Sequence, residues 1–169
     1  MNKIENMNLI LNKEDMKFSI AHFTIFNKTS RENIHGHNFS VSFELEFTSK
    51  KNGMFKDYKI FKQLIRNLCD SIDEHIILPG KNKFIKIKKN DEKVIVLFDK
   101  EELIFLSRDV LILPIQNTTV EDFSEWFLLE VVKDPSLKDK DGINSLKLNV
   151  SSYKGQSCTS IMSFKKTKS

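Results

Sequence analysis

Between Phe39 and Phe47 the chain alternates strictly: Phe39, Val41, Phe43, Leu45 and Phe47 share one parity, and Ser40, Ser42, Glu44 and Glu46 the other. A period of two with one apolar and one polar face predicts a half-buried strand. Upstream, "KFSIAHFTIF" over residues 17–26 is apolar at nearly every position. It predicts a strand covered on both faces, with Phe18, Ile20 and His22 on one of them. The polar run "NKTSREN" connects the two.

Beyond a turn around Gly53 the period changes. Asp57 precedes Tyr58, Phe61, Leu64, Ile65, Leu68 and Ile72, a series at helical spacing that predicts an amphipathic helix with an acidic N-terminus. "ILPGKNK" marks its stop with a Pro-Gly turn. "FIKIKK", "KVIVLF" and "LIFL" predict short strands joined by polar turns. "LPIQNTTVED" leads into a second helix, where Thr118 and Glu121 fit a capping box and Val120, Phe123, Trp126, Phe127 and Val131 form the buried stripe. "KDPSLKDKDG" reads as an exposed loop, and "INSLKLNVSSY" with "SCTSIMSF" as a closing hairpin. No short repeat recurs. Strands interrupted by two helices, without a regular βαβ alternation, predict an α+β domain with an antiparallel sheet.

A length of 169 residues suits one domain, 1–169, with residues 1–16 expected as a loosely ordered N-terminal extension. Hydrophobic residues make up 40% and charged residues 30%, and no apolar run is long enough to span a bilayer. That composition excludes a disordered chain and a helical membrane protein. The polar, acid-containing N-terminus resembles neither a signal peptide nor a transit peptide, so a cytoplasmic location is expected. Net charge is +4, yet the lysines are scattered among acids and form no stripe with aromatics, which argues against a nucleic-acid partner. Cys69 and Cys158 make no disulfide framework and read as small buried side chains.

The chemistry sits in the histidines. There are four, and His35 and His37 carry the parity of the apolar face of their strand. A neighbouring antiparallel strand could bring His22 beside them. Three neutral imidazoles make a zinc site that keeps one tetrahedral position open. On spacing alone a second reading stays open, in which His35 and His37 flank a glycine at a loop-to-strand junction and are half exposed.

Together "KFSIAHF", "ENIHGHNFSVSFELEF", "NGMFKDYKIFKQL", "IDEHIILPG" and "NTTVEDFSEW" resemble, in order, the 6-pyruvoyl-tetrahydropterin synthase family, which includes bacterial 6-carboxy-tetrahydropterin synthase. The resemblance runs from about Lys17 to the last strand. It implies a tunnelling fold: a four-stranded antiparallel sheet with two helices on one face, assembled as a homo-oligomer into trimers around a shared barrel and stacked as hexamers, with sites between subunits. It also implies zinc on His22, His35 and His37, and a pterin substrate, 7,8-dihydroneopterin triphosphate, acted on by a lyase.

The sequence departs from the family's best-known pattern at three places. A cysteine usually precedes H-G-H, whereas Arg31 and Glu32 fill that segment here. The order resembles the E-x-x-H-G-H branch, associated with side-chain cleavage to 6-hydroxymethyl-dihydropterin, a folate precursor. Glu32 is then the general base, expected to have a raised pKa; the other reading is a loop acid that neutralises Arg31. In "IDEHIILPG" the family's Asp-His pair becomes Asp73, Glu74, His75. The resemblance assigns proton exchange to Asp73 and His75, with either His75 shifted into the role or Glu74 taking its position. A helix C-terminal histidine is the alternative. Finally, Ser152 stands where the family carries a glutamate that grips the pterin, while Thr118 and Thr119 match a pterin-pocket segment or a plain helix cap. The alternative to an active lyase is a degenerate member that keeps zinc and serves as a binding or scaffold protein.

Overall fold

The computed structural model describes residues 6–48, 52–137, 142–152 and 155–164. In chain order these form β1 (Met7–His22), β2 (Ile25–Asn27), β3 (Ser30–Arg31), β4 (His35–Phe47), α1 (Tyr58–Ile72), β5 (His75–Pro79), β6 (Ile85–Lys89), β7 (Lys93–Phe98), β8 (Glu101–Leu106), β9 (Val110–Leu113), α2 (Val120–Lys133), β10 (Ile143–Ser152) and β11 (Ser157–Ser163). Among them, no helix is long and apolar enough to cross a membrane.

The main sheet has six strands in the order β11-β10-β4-β1-β5-β9. This corrects the expected four-stranded antiparallel sheet. β11, β10, β4 and β1 are antiparallel neighbours as anticipated, but β5 adds to the edge of β1 in parallel and β9 adds to β5 in parallel. The apolar run of β5 lies against β9, with Ile77 and Leu78 fully buried. Gly80 ends that run where its backbone lies against β9. Its N–H donates to Leu113 O at 2.8 Å, and a Cβ there would stand 2.8 Å from Ile112 Cγ2 and 3.0 Å from Leu113 O.

Residues 7–16, expected in the N-terminal extension, instead form most of β1, with Leu9 opposite Leu45 and Leu11 opposite Phe43. Their apolar parity continues the buried row of β4, so pairing removes apolar surface from water. A register shift between Asn12 and Lys17 separates this half of β1 from the half that carries His22. Residues 1–5 lie outside the described residues.

Both helices close over the apolar face of the sheet. α1 starts as expected, with the Asp57 side chain accepting from Lys59 N at 2.9 Å, and buries Phe61, Ile65, Cys69 and Ile72. Phe18 stacks on Phe39 at 4.9 Å and on Phe127 of α2 at 5.4 Å. Burial pushes the Cys69 thiol up to about 12, which leaves it a packing residue. The cap of α2 is one residue later than expected: Thr119, not Thr118, accepts from Asp122 N, and Asp122 takes the position given to Glu121. Of the expected loop "KDPSLKDKDG", residues 138–141 lie outside the described ones, and Leu137 is buried. A second, smaller core joins Phe23 and Ile25, just past His22, to Val94, Val96 and Phe98 of the β6–β7–β8 meander.

Candidate active site

His22 closes β1 and His35 opens β4, and the two are direct cross-strand partners; His37 lies opposite Ile20, two residues further along. Residues facing each other across an antiparallel pair, and residues two apart on one strand, project to the same side. The three rings therefore converge, with centroids 4.7 Å (His22–His35), 5.3 Å (His22–His37) and 4.8 Å (His35–His37) apart. One ligand nitrogen from each lies within 4.8 Å of the others.

His22 is the informative member. It is 5% exposed, and among the described residues neither ring nitrogen has a hydrogen-bond partner. Burial, together with the charges of His35 and His37, pushes its pKa down to about 4, so the imidazole is neutral at physiological pH and has a lone pair to offer. An unpartnered buried imidazole is costly. A metal ion held by the trio would give it a partner. His35 fits the same purpose: its Nδ1 lies 2.8 Å from Asn33 O, an acceptor only, so Nδ1 donates and Nε2 keeps its lone pair, as metal-binding histidines commonly do. The residues present suit a zinc ion on His22, His35 and His37.

Glu32 stands on the same cavity wall. Its N–H donates to Thr24 O and its Oε2 accepts from Thr24 N, both at 2.9 Å. Burial opposes its ionisation, but the Thr24 hydrogen bonds and the charges of His35 and His22 outweigh it and hold the carboxyl below its ordinary value. The expected rise in pKa is thus reversed. Nor does Glu32 neutralise Arg31, whose guanidinium pairs with Glu101.

The cavity encloses about 410 Å³ and is lined by the three histidines, Glu32, Thr118, Thr119, Ser152 and their neighbours. Thr118 is buried, and its hydroxyl donates to Phe23 O at 2.8 Å. Beside it Asn117 brackets Ile25, accepting from its N–H at 3.0 Å and donating to its carbonyl at 2.9 Å. The segment leading into α2 is thereby stitched to the backbone that follows His22. Ser152 stands at the end of β10, where its hydroxyl donates to Gln156 Oε1 at 3.2 Å.

Asp73 and His75 do not line this cavity. Asp73 is the C-cap of α1, and its carboxylate accepts from Ser19 N at 2.6 Å, not from an imidazole. Glu74 takes a left-handed backbone (φ 57°) and donates its N–H to Ser19 O. His75 then enters β5, its Nδ1 2.6 Å from Asp73 O, and lines a second concavity of about 470 Å³ with Ser19, Gly36, His37, Asn38, Glu74 and Asp109, so that His37 borders both. The extra residue between Asp73 and His75 is absorbed by that left-handed turn.

Sequence reasoning missed Thr24 and Gln156, and gave Glu121 only a capping role, although all three line the cavity. For Glu121 a signal existed, two residues after Thr119 at the head of a helix. Thr24 meets Glu32 through a turn that brings its N–H and side chain to the carboxylate, and Gln156 is set by the hairpin, so neither left a pattern.

The family model for 6-pyruvoyl tetrahydropterin synthase matches residues 11–162. A protein of Methanocaldococcus jannaschii, provisionally named 6-carboxy-5,6,7,8-tetrahydropterin synthase, is 28% identical over 144 residues, covering 83% of this chain and 86% of its own. The 6-pyruvoyl tetrahydropterin synthase of Plasmodium falciparum superposes with a TM-score of 0.88 at 25% identity, over 95% of this chain and 100% of its own. A Plasmodium vivax 6-pyruvoyltetrahydropterin synthase, in which a glutamate described as a catalytic residue is changed to cysteine, superposes with a TM-score of 0.87 at 26% identity and the same coverage. With nine-tenths of its length matched by the family model and its fold shared with these structures, this chain belongs to the 6-pyruvoyl tetrahydropterin synthase family.

Proposed function

We propose that the protein is a zinc-dependent lyase of pterin metabolism that acts on the side chain of 7,8-dihydroneopterin triphosphate by elimination or by cleavage, the latter giving 6-hydroxymethyl-dihydropterin, a folate precursor. The observation that carries this reading is the convergence of His22, His35, His37 and Glu32 on one cavity in a chain of this family. The histidines would hold the zinc. When bound, zinc supplies Lewis acidity to a hydroxyl of the substrate's side chain.

Glu32 takes the base role. Its depressed pKa keeps it ionised across neutral pH, and its bonds to Thr24 hold it in place before substrate arrives. A relative whose structure names a glutamate as catalytic supports that choice. Thr118, Thr119 and Ser152 line the same cavity and would receive the pterin ring. At Ser152 a hydroxyl beside the Gln156 amide replaces the paired acceptors of a carboxylate, a weaker grip on an edge of N–H donors.

Asp73 and His75 keep the role of proton return in this reading, although neither lines the cavity that holds Glu32; His75 shares a second concavity with His37. A homo-oligomer, trimer or hexamer, is part of the reading. The rival is a member that keeps zinc and assembly without turnover; Ser152 favours it, and the complete histidine set opposes it.

Incubating zinc-loaded protein with 7,8-dihydroneopterin triphosphate, beside a chelated control and Glu32→Ala, and resolving products by chromatography and mass spectrometry decides between them. Chelator-sensitive 6-hydroxymethyl-dihydropterin that disappears in Glu32→Ala is the expected result. A 6-pyruvoyl product would replace cleavage by elimination. No turnover with zinc bound would overturn the lyase reading in favour of the scaffold.

A further inference from the structure

We infer that Arg31 is a positioning residue for Glu32 and that the β6–β7–β8 meander, acting through Glu101, is the part of the fold that holds it; the inference rests on the reading of Glu32 as the base. Glu32 stands in the connection between β3 and β4, outside regular structure. Loops of this kind are the mobile parts of a fold, yet a misplacement of about 1 Å at a reacting group can cost roughly a hundredfold in rate.

The structure shows what restrains it. Arg31 Nη1 donates to Glu32 O at 2.8 Å, while Nε and Nη2 lie 2.7 and 2.6 Å from Glu101 Oε2 on β8. The guanidinium sits over the ring of Phe23 at 5.2 Å and of Phe98 at 5.9 Å. Both rings belong to the core shared by the meander and the segment after His22. Only 15% of the Arg31 side chain is exposed, against 54% for Glu101.

An ordinary surface ion pair would contribute little and need neither the aromatic walls nor the third bond. Here a rigid planar fork is fixed in three directions, which a lysine could not reproduce. At its other end Glu32 is tied to Thr24 through its N–H and Oε2. Thr24 lies between Phe23 and Ile25, both buried in that same core. The Glu32 carboxylate is therefore located by a frame with two supports, each resting on the meander.

The test uses the full-length, zinc-loaded protein and the variants Arg31→Lys, Glu101→Gln, Glu32→Gln and the Arg31→Lys/Glu32→Gln double variant. Steady-state turnover of 7,8-dihydroneopterin triphosphate, zinc content, and hydrogen–deuterium exchange of the peptide carrying Thr24 are measured for each. Arg31→Lys is expected to lower kcat roughly ten- to hundredfold with KM and zinc content unchanged, to speed exchange at Thr24, and to cost nothing further once Glu32 is Gln. Glu101→Gln keeps an acceptor on an exposed side chain, and a smaller loss of the same kind is expected, which covers the case in which Arg31→Lys does not fold.

Wild-type kcat in Arg31→Lys, or an equal loss in the Glu32→Gln background, overturns the positioning role while the base stands. Wild-type turnover in Glu32→Gln overturns the base itself, and the inference with it. That outcome is read from the single variant, so the two failures are told apart.

Discussion

The buried imidazole of His22 gives the metal-free protein an acid-sensitive stability of calculable size. In the unfolded chain this histidine titrates near 6.5, whereas in the fold its pKa is pushed down to about 4 by burial and by His35 and His37. Between those values the unfolded state binds the proton and the native state refuses it, so unfolding is favoured as pH falls. Stability is complete above the unfolded value and is lost on acidification through the window from 6.5 to about 4. From pH 7 to pH 5 the linkage amounts to about 2 kcal/mol, a sizeable part of the total for a small domain.

Urea unfolding of chelator-treated protein at a series of pH values, at one protein concentration, measures it. The control is His22→Phe, which replaces one flat ring by another where Phe39 already packs edge-on at 5.8 Å and cannot titrate. Wild type is expected to lose about 2 kcal/mol more than the variant over that interval. Parallel pH profiles for the two proteins would refute the reasoning, because His22 would then be hydrated or partnered in the native state.

Three further outcomes follow from the same contacts. Purified protein should hold about one zinc per chain; His35→Ala or His37→Ala should lose it, and chelation should lower Tm reversibly, because binding to the native state alone is stabilising. Thr118→Val keeps the branched shape but strips the donor from Phe23 O, and a loss of roughly 1–3 kcal/mol in urea unfolding is expected from the unpaired carbonyl. Gly80→Ala places a methyl 3.0 Å from the Leu113 carbonyl oxygen; strand pairing must shift, and a loss of roughly 1–3 kcal/mol is expected, again read from the urea midpoint.

What could be read in the sequence was whatever periodicity fixes. The parity of His35 and His37 with Phe39 placed both imidazoles on one side of the sheet, where His35 is half-buried and His37 exposed, and the helical spacing from Tyr58 gave the start of α1, whereas its end at Ile72 comes before the expected stop at "ILPGKNK", whose first residues belong to β5. β5 and β9 escaped because short apolar runs such as "HIILP" and "VLIL" have no period of their own, and parallel pairing depends on a partner distant in sequence. The first half of β1 was mistaken for an extension because "NKEDMK" interrupts its alternation just where the register shifts.

At the site, the same division between side-chain pattern and backbone contact decides what was visible. The sequence pairs Asp73 and His75 as carboxylate and imidazole, but the Asp73 carboxylate is engaged by Ser19 N and only its backbone carbonyl meets the ring. Glu32 was expected to be a base with a raised pKa, since burial alone would raise it. Hydrogen bonds from the side chain and the backbone N–H of Thr24, together with nearby imidazoles, reverse the sign. Backbone donors and acceptors, which every residue carries and no motif records, contribute to both differences. The histidine trio could be anticipated because it is made by side chains at fixed parity; the state of the carboxylate beside it could not, because it is made by where the chain turns at Thr24. Thr24, which acts on that carboxylate, stands between Phe23 and Ile25, residues that the sequence offers only as core.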